Sequence, residues 1–206
     1  MPRDTALEAD VCVVGGGAAG ITLARELSGS PYRVAVLESG GLEYEIDTQS
    51  LYQGRSIGLP YSDLDAPRLR FFGGTTNHWG GICRPFEDAD FKPRKGIRFT
   101  GWPIEKSDVD PFYPRAARVV RLPSLDWDLA HWAPRGELAP LRLRSDRIVT
   151  RAAQKVEADL RSFGVRYEDE LRSAPNVTVY LHANAAGFEV DEAGGTVASL
   201  PVATLT

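Results

Sequence analysis

Cysteine is scarce in this chain. Cys12 and Cys83 are its two cysteines, too few and too far apart for a disulfide framework. Histidine is hardly more common. His78, His131 and His182 are dispersed, and with two distant cysteines they show no metal-ligand spacing. No apolar run approaches the roughly 20 residues that cross a bilayer, so no membrane span is expected. The opening stretch MPRDTALEADVCVV lacks the long apolar core of a signal peptide, so a cytoplasmic location is expected. Neither sign of charge dominates: 24 Lys and Arg face 28 Asp and Glu, a formal net charge of -4. That balance favours neither nucleic acid nor an anionic membrane as a partner. No nucleophile–base pair can be read out of the sequence. There is no internal repeat and no low-complexity tract.

Glycine and apolar residues are what the chain has. Hydrophobic residues make up 43% of 206 positions, enough to bury a core. DVCVV, 10 to 14, is a short apolar run of the kind found in strands covered on both faces, and Cys12 within it reads as a small buried side chain. AAGITLARELSGS follows, with Ile21, Leu23, Ala24 and Leu27 at helical spacing and Gly29 as a stop. RVAVLE, 33 to 38, is a second apolar strand. The three make a β-α-β unit with a right-handed crossover.

Gly15, Gly17 and Gly20 fit G-x-G-x-x-G inside that unit. Gly15 permits the tight turn, Gly17 leaves room for a pyrophosphate, and Gly20 lets helix and sheet approach. With Ala18 and Ala19, they open a helix whose free N–H groups suit phosphate. Glu38, followed by Ser39, ends the second strand, where its carboxylate suits ribose hydroxyls. It argues against a 2′-phosphate but leaves NAD and FAD both open.

RLRFFGGTTNHWGG decides between them. Gly73, Gly74, Gly80 and Gly81 surround Thr75, Thr76, Asn77, His78 and Trp79. So many glycines imply a backbone that bends sharply or lies against something flat. A nicotinamide site has no need of this second loop; a flavin needs further donors and a wall. Trp79 and Trp102 have flat side chains of the right kind for that wall.

Elsewhere the patterns are weaker. From 39 to 104 neither period lasts. Ser107 is expected to cap a helix over DVDPFYPRAARVV, with Asp110 three residues on. Residues 122 to 140 read as loop. A helical stretch is expected across 150 to 173, interrupted near Gly164. NVTVYL, 176 to 181, is a strand, and the alternation around Asp191 to Gly195 is a hairpin. His131 and His182 read as packing or hydrogen-bonding residues.

The chain resembles the glucose–methanol–choline (GMC) oxidoreductases. The resemblance rests on VVGGGAAGITLARELS, VLESGG, FGGTTNHWGG with RPFEDADF, GWPI and NVTVYLHANA, in that order. FGGTTNHWGG is most similar to the sugar- and polyol-oxidising branches. The resemblance implies an α/β fold, a Rossmann-like FAD-binding domain with a parallel sheet. It implies FAD as cofactor and oxidation of a sugar or polyol CH–OH by hydride transfer to the flavin. The electrons would pass to oxygen, a quinone or a cytochrome. It places Gly15, Gly17, Ala18, Ala19 and Gly20 on the pyrophosphate, and Glu38 with Ser39 by the adenosine ribose. Arg70, Gly73, Gly74, Thr75, Trp79 and Gly80 fall in the covering loop, Asn77 and His78 beside the isoalloxazine, and Ala185 near the adenine. His78 also has the spacing of a histidine joined covalently to the flavin. The resemblance makes 1 to 206 the N-terminal part of an FAD-binding domain, incomplete at its C-terminal end. Within it, 39 to 140 is a largely irregular flavin-covering segment. Most of the substrate domain, and the catalytic histidine with its partner histidine or asparagine, would lie further on, so no catalytic residue is assigned. Two other readings stand beside it: a nicotinamide-dependent dehydrogenase, and a truncated, non-catalytic nucleotide-binding fragment.

Overall fold

The computed structural model describes residues 5–135, 148, 150–191 and 193–205. They divide into two compact units, Met1–Trp79 with Arg161–Thr206, and Gly80–Leu160.

The first unit holds the expected β-α-β. Strand β1 (Val11–Val14), helix α1 (Ala18–Leu27) and strand β2 (Val34–Leu37) follow in order. Helix α2 (Phe163–Arg172) leads into strand β3 (Val177–Tyr180). The three strands form one parallel sheet in the order β1-β2-β3, with Val11 opposite Val34 and Val34 opposite Val177. This register puts six valines on one face: Val11, Val13, Val34, Val36, Val177 and Val179. β-branched side chains pack well on a pleated surface. Helix α1 lies against β1 and β2, and α2 against α1 and β3. Val34, Val36, Ile21, Ala24 and Leu171 are almost wholly buried there.

Asn176 fastens the sheet to the turn that precedes β2. Its side-chain oxygen accepts from Gly29 N–H at 2.8 Å, and its amide donates to the carbonyls of Leu27 and Tyr32 at 3.0 and 2.7 Å. Arg25 of α1 reaches α2 twice, at 2.8 Å to Glu170 Oε1 and 3.8 Å above the Tyr167 ring. After β3 come short antiparallel pairs: β4 (Asn184–Ala185) with β7 (Val202–Ala203), and β5 (Glu189–Val190) with β6 (Val197–Ser199). The β5–β6 hairpin turns at Asp191, as its alternation predicts. Asp191 Oδ1 accepts from Gly195 N–H at 3.0 Å.

The sheet is not covered on both faces. Cys12, expected to be buried, is exposed, and Val14 beside it is 58% exposed. Both helices lie on the valine face; on the other face Cys12, Val14 and Thr178 are exposed, while Leu37 is buried.

The second unit is built of short pieces. Strand residues 82–83 and 154–155 pair antiparallel. Helical turns run over Asp88–Phe91, Lys106–Val109 and Leu129–Trp132, and a longer helix over Tyr113–Val120. Three expectations change. The cap near 107 is Glu105, in a capping box with Asp108, not Ser107. Here a Glu takes the place that Ser or Thr usually holds. The stretch 122 to 140 is not all loop: Asp128 caps the turn Leu129–Trp132 by accepting from Ala130 N–H. Residues 136 to 140 of that stretch lie outside the described residues. The helix expected across 150 to 173 begins only at Phe163, behind the cap Ser162. Gly164 does not interrupt it but stands in its first turn.

Candidate cofactor site

Gly15 makes the turn out of β1 with φ +100°, a left-handed value that suits glycine. Its N–H donates to Leu37 O at 2.7 Å. Gly17 is the residue before α1, and Ile21 N–H donates to its carbonyl at 2.9 Å. A Cβ at Gly15 or Gly17 would meet nothing within 4 Å, so bare backbone faces open space at the head of the helix. Gly20 is the opposite case. Its Cβ would fall 1.9 Å from Gly15 O. Ala18 and Ala19 are exposed on the first turn.

Gly16, the residue the fingerprint leaves free, joins the parts. Its N–H donates to Glu38 Oε2 at 2.8 Å, and its carbonyl accepts from Gly73 N–H at 2.8 Å. Glu38 is buried at 5% exposure. Its other oxygen accepts from Gly40 N–H at 2.9 Å and Ser39 Oγ at 3.3 Å. These donors hold a buried carboxylate that pairs with no cation among the described residues.

The second glycine cluster folds directly onto the first. Gly73 and Gly74 have φ +93° and +54°, and a Cβ on Gly74 would lie 3.1 Å from Gly17 Cα. A single 3-10 turn, Gly74–Asn77, follows. Thr76 is buried; its hydroxyl donates to Gly73 O at 2.5 Å and accepts from Phe163 N–H at 3.0 Å. Asn77 donates to Phe72 O at 3.0 Å and accepts from Ser162 Oγ. Thr75 is exposed. His78 is exposed where the turn ends, and its backbone N–H donates to Thr75 O at 3.2 Å. Trp79 Nε1 donates to Arg161 O at 3.0 Å. Gly80 is exposed and belongs to the second unit.

Arg70 reaches Asn184 Oδ1 at 3.0 Å and lies 4.7 Å over the Tyr52 ring. Ala185, next to Asn184, is exposed in its pairing with Val202. The other two histidines are engaged elsewhere: His131 Nδ1 is 2.9 Å from Asp126, and His182 Nδ1 is 3.4 Å from Glu45. No cluster of three or more His, Cys, Asp or Glu among the described residues could hold a metal ion. Among them, no helix is long and apolar enough to cross a membrane.

Sequence reasoning missed Gln49. It is 4% exposed. Its amide donates to Asp65 O and Arg68 O, both at 2.6 Å, and accepts from Arg70 N–H at 2.9 Å. One side chain therefore ties down the strap that carries Arg70. A lone Gln in the pattern EYEIDTQSLY has no local signature of this. Gln49→Ala is expected to lower the stability of the apoprotein by about 2 kcal/mol, since buried backbone groups lose their partners. Gln49→Glu should be at least as harmful, because a carboxylate would face two carbonyl oxygens. Thermal melts of the three forms check both points.

Residues 10–200 match the family described as FAD dependent oxidoreductase. No curated protein matches the chain. Among solved structures it resembles pyridoxine 4-oxidase from Mesorbium loti at 20% identity and TM-score 0.54, over 96% of this chain and 46% of that one. A formate oxidase from Aspergillus oryzae RIB40 follows at 16% identity and TM-score 0.47, over 95% and 42%. An L-amino acid deaminase from Proteus myxofaciens stands at 14% and 0.38, over 98% and 44%. The first likeness shows a shared fold. The chain spans less than half the length of each of these structures.

Proposed function

The chain belongs to the FAD-dependent oxidoreductase family, and from that premise we propose that it is the cofactor-holding part of a GMC-type enzyme that oxidises a CH–OH group of a sugar or polyol. Gly15, Gly17 and Glu38 would help to hold FAD, which would supply a hydride acceptor for the alcohol carbon. The residues present fit such a group. Bare backbone at Gly15 and Gly17 leaves room for a pyrophosphate beside the N-terminus of α1. Glu38 spends part of its acceptor capacity on Gly16, Ser39 and Gly40, and a carboxylate has about four lone-pair sites, so a ribose hydroxyl can still donate to it. Arg70 Nε is buried and has no hydrogen-bond partner among the described residues, which gives an anionic group a donor to meet.

The observation that carries the reading is the junction of the two glycine turns, Gly73 N–H on Gly16 O with Gly74 against Gly17. The turn that carries Thr75, Asn77 and His78 starts at this junction beside the head of α1, which supports a flavin dinucleotide as the group held there. Sugar or polyol as substrate rests on the FGGTTNHWGG resemblance. No residue of 1 to 206 is assigned the base that takes the hydroxyl proton. Oxygen, a quinone or a cytochrome is the electron acceptor.

The full-length protein that carries this chain should purify with a flavin spectrum and oxidise sugars or polyols with an artificial electron acceptor. Oxidation of amines, with no alcohol turned over, would sink the reading. His78 has its own assay. If its ring is joined to the flavin, acid-precipitated protein stays yellow and His78→Ala releases the colour; a wild-type flavin wholly in the supernatant rules out the bond.

A further inference from the structure

The second unit has a cleft of about 210 Å³, lined by Phe86, Asp90, Phe91, Arg94 and Trp102. Three aromatic rings meet there edge to face, with centroids 5.5 to 5.9 Å apart. Phe91 is buried at 6%, but Phe86 and Trp102 are 46% and 53% exposed. Both residues are therefore partly open to water.

The backbone beneath is well fastened. Glu87 and Asp90 form a capping box over Asp88–Phe91. Trp102 N–H donates to Phe91 O at 3.0 Å. Thr100 Oγ1 accepts from Arg94 N–H at 2.8 Å. Gly101, at φ +91°, lies so close to Pro93 that a Cβ would come within 2.9 Å of its ring. The rings are presented by the fold, not by a loose loop.

The rim sets the ligand class. Arg94 stands 3.7 Å from Asp90 Oδ1, so the two charges offset each other. A cation would meet the guanidinium and an anion the carboxylate; a neutral ligand meets neither penalty. It can still use both groups, one as donor and one as acceptor. A pyranose ring has these properties. Its C–H face lies flat on an aromatic ring, and its hydroxyls both donate and accept. The cleft is smaller than the 300–1,000 Å³ of pockets for drug-sized ligands, which suits a single ring.

We propose that this cleft is a carbohydrate subsite that seats one neutral sugar ring against Trp102 and Phe86, with Asp90 and Arg94 on its hydroxyls. Its choice of ligand rests on the sugar-or-polyol reading above.

The test is saturation-transfer NMR on the full-length flavoprotein, reduced with dithionite so that no turnover consumes the ligand. Methyl α-D-glucopyranoside is the probe, with sorbitol, which has no ring, as competitor. Binding is expected at roughly millimolar Kd. Trp102→Ala should weaken it about tenfold and Trp102→Phe only slightly. Arg94→Met, at an exposed side chain, should weaken it several-fold without disturbing the fold. Sorbitol should not displace the Trp102-dependent signal. Binding unchanged in both Trp102→Ala and Arg94→Met overturns the proposal, as does full displacement by sorbitol. If Trp102→Ala fails to fold, Arg94→Met decides alone. A protein that oxidises sugars but binds them regardless of Trp102 and Arg94 loses the subsite and keeps its proposed function. One that binds sugar through Trp102 but oxidises none keeps the subsite and loses the function.

Discussion

Gly20→Ala should cost the apoprotein about 3 kcal/mol, the upper end of what overpacking usually does, whereas Gly17→Ala should leave its melting temperature unchanged. Helix propensity alone predicts the reverse for Gly20, since alanine is better than glycine by about 1 kcal/mol inside a helix. The contact decides. A Cβ at Gly20 would lie 1.9 Å from Gly15 O, and a backbone oxygen in a tight turn cannot swing aside. Helix α1 would have to lift from the sheet, opening space around Ile21 and Ala24, both fully buried. For a chain of this size the loss corresponds to about 6–12 °C. At Gly17 a methyl meets no protein atom within 4 Å, so stability has nothing to lose. On the proposed reading the methyl would enter the room left for a pyrophosphate, and flavin affinity should fall at least tenfold. Melts must be run on apoprotein, because bound cofactor adds its own stabilisation. Equal melting temperatures for the two variants would show that the helix and sheet are not in the contact described.

Gly164→Ala should reduce both stability and flavin binding, which neither Gly20→Ala nor Gly17→Ala does by the same route. Its Cβ would come 2.4 Å from Phe72 O and 3.2 Å from Gly73 Cα. Helix α2 would be pushed off the second glycine turn. The bond from Phe163 N–H to Thr76 and the one from Ser162 to Asn77 would go with it. A loss of about 2–3 kcal/mol is expected, together with weaker FAD binding, since the turn that abuts Gly17 moves. Val165→Ala is the control. Val165 is 77% exposed on the same helix, and its replacement should change stability by no more than about 0.5 kcal/mol. A Gly164→Ala protein as stable as wild type, with full flavin affinity, would refute the role given to this contact.

Other parts of the fold were easier to foresee than these contacts. DVCVV, RVAVLE and NVTVYL read as strands, and the register confirms them as neighbours in one parallel sheet. The hairpin at Asp191 to Gly195 was legible because its turn chemistry is local. Cys12 was misjudged because an apolar run is the same whether one face of a strand is covered or both. The helix near 163 was misplaced because Gly164 looks like a breaker. Its missing side chain instead serves close packing against Phe72, a residue far away in sequence.

The amino-acid order by itself determined the cradle. Gly15 at a left-handed φ, Gly17 with open space at its Cβ and Glu38 at the end of β2 follow from backbone freedom and strand alternation, which act over a few residues. Only the tertiary structure decided how the cradle is held. Gly16 bridges Glu38 and Gly73, Gln49 pins the strap at Arg70, and Gly40 lies so near Arg70 that a Cβ would be 2.0 Å from its carbonyl oxygen. Each depends on which distant backbone arrives within hydrogen-bond or van der Waals reach. That is set by how the helices and turns pack on the valine face, and no local pattern encodes it.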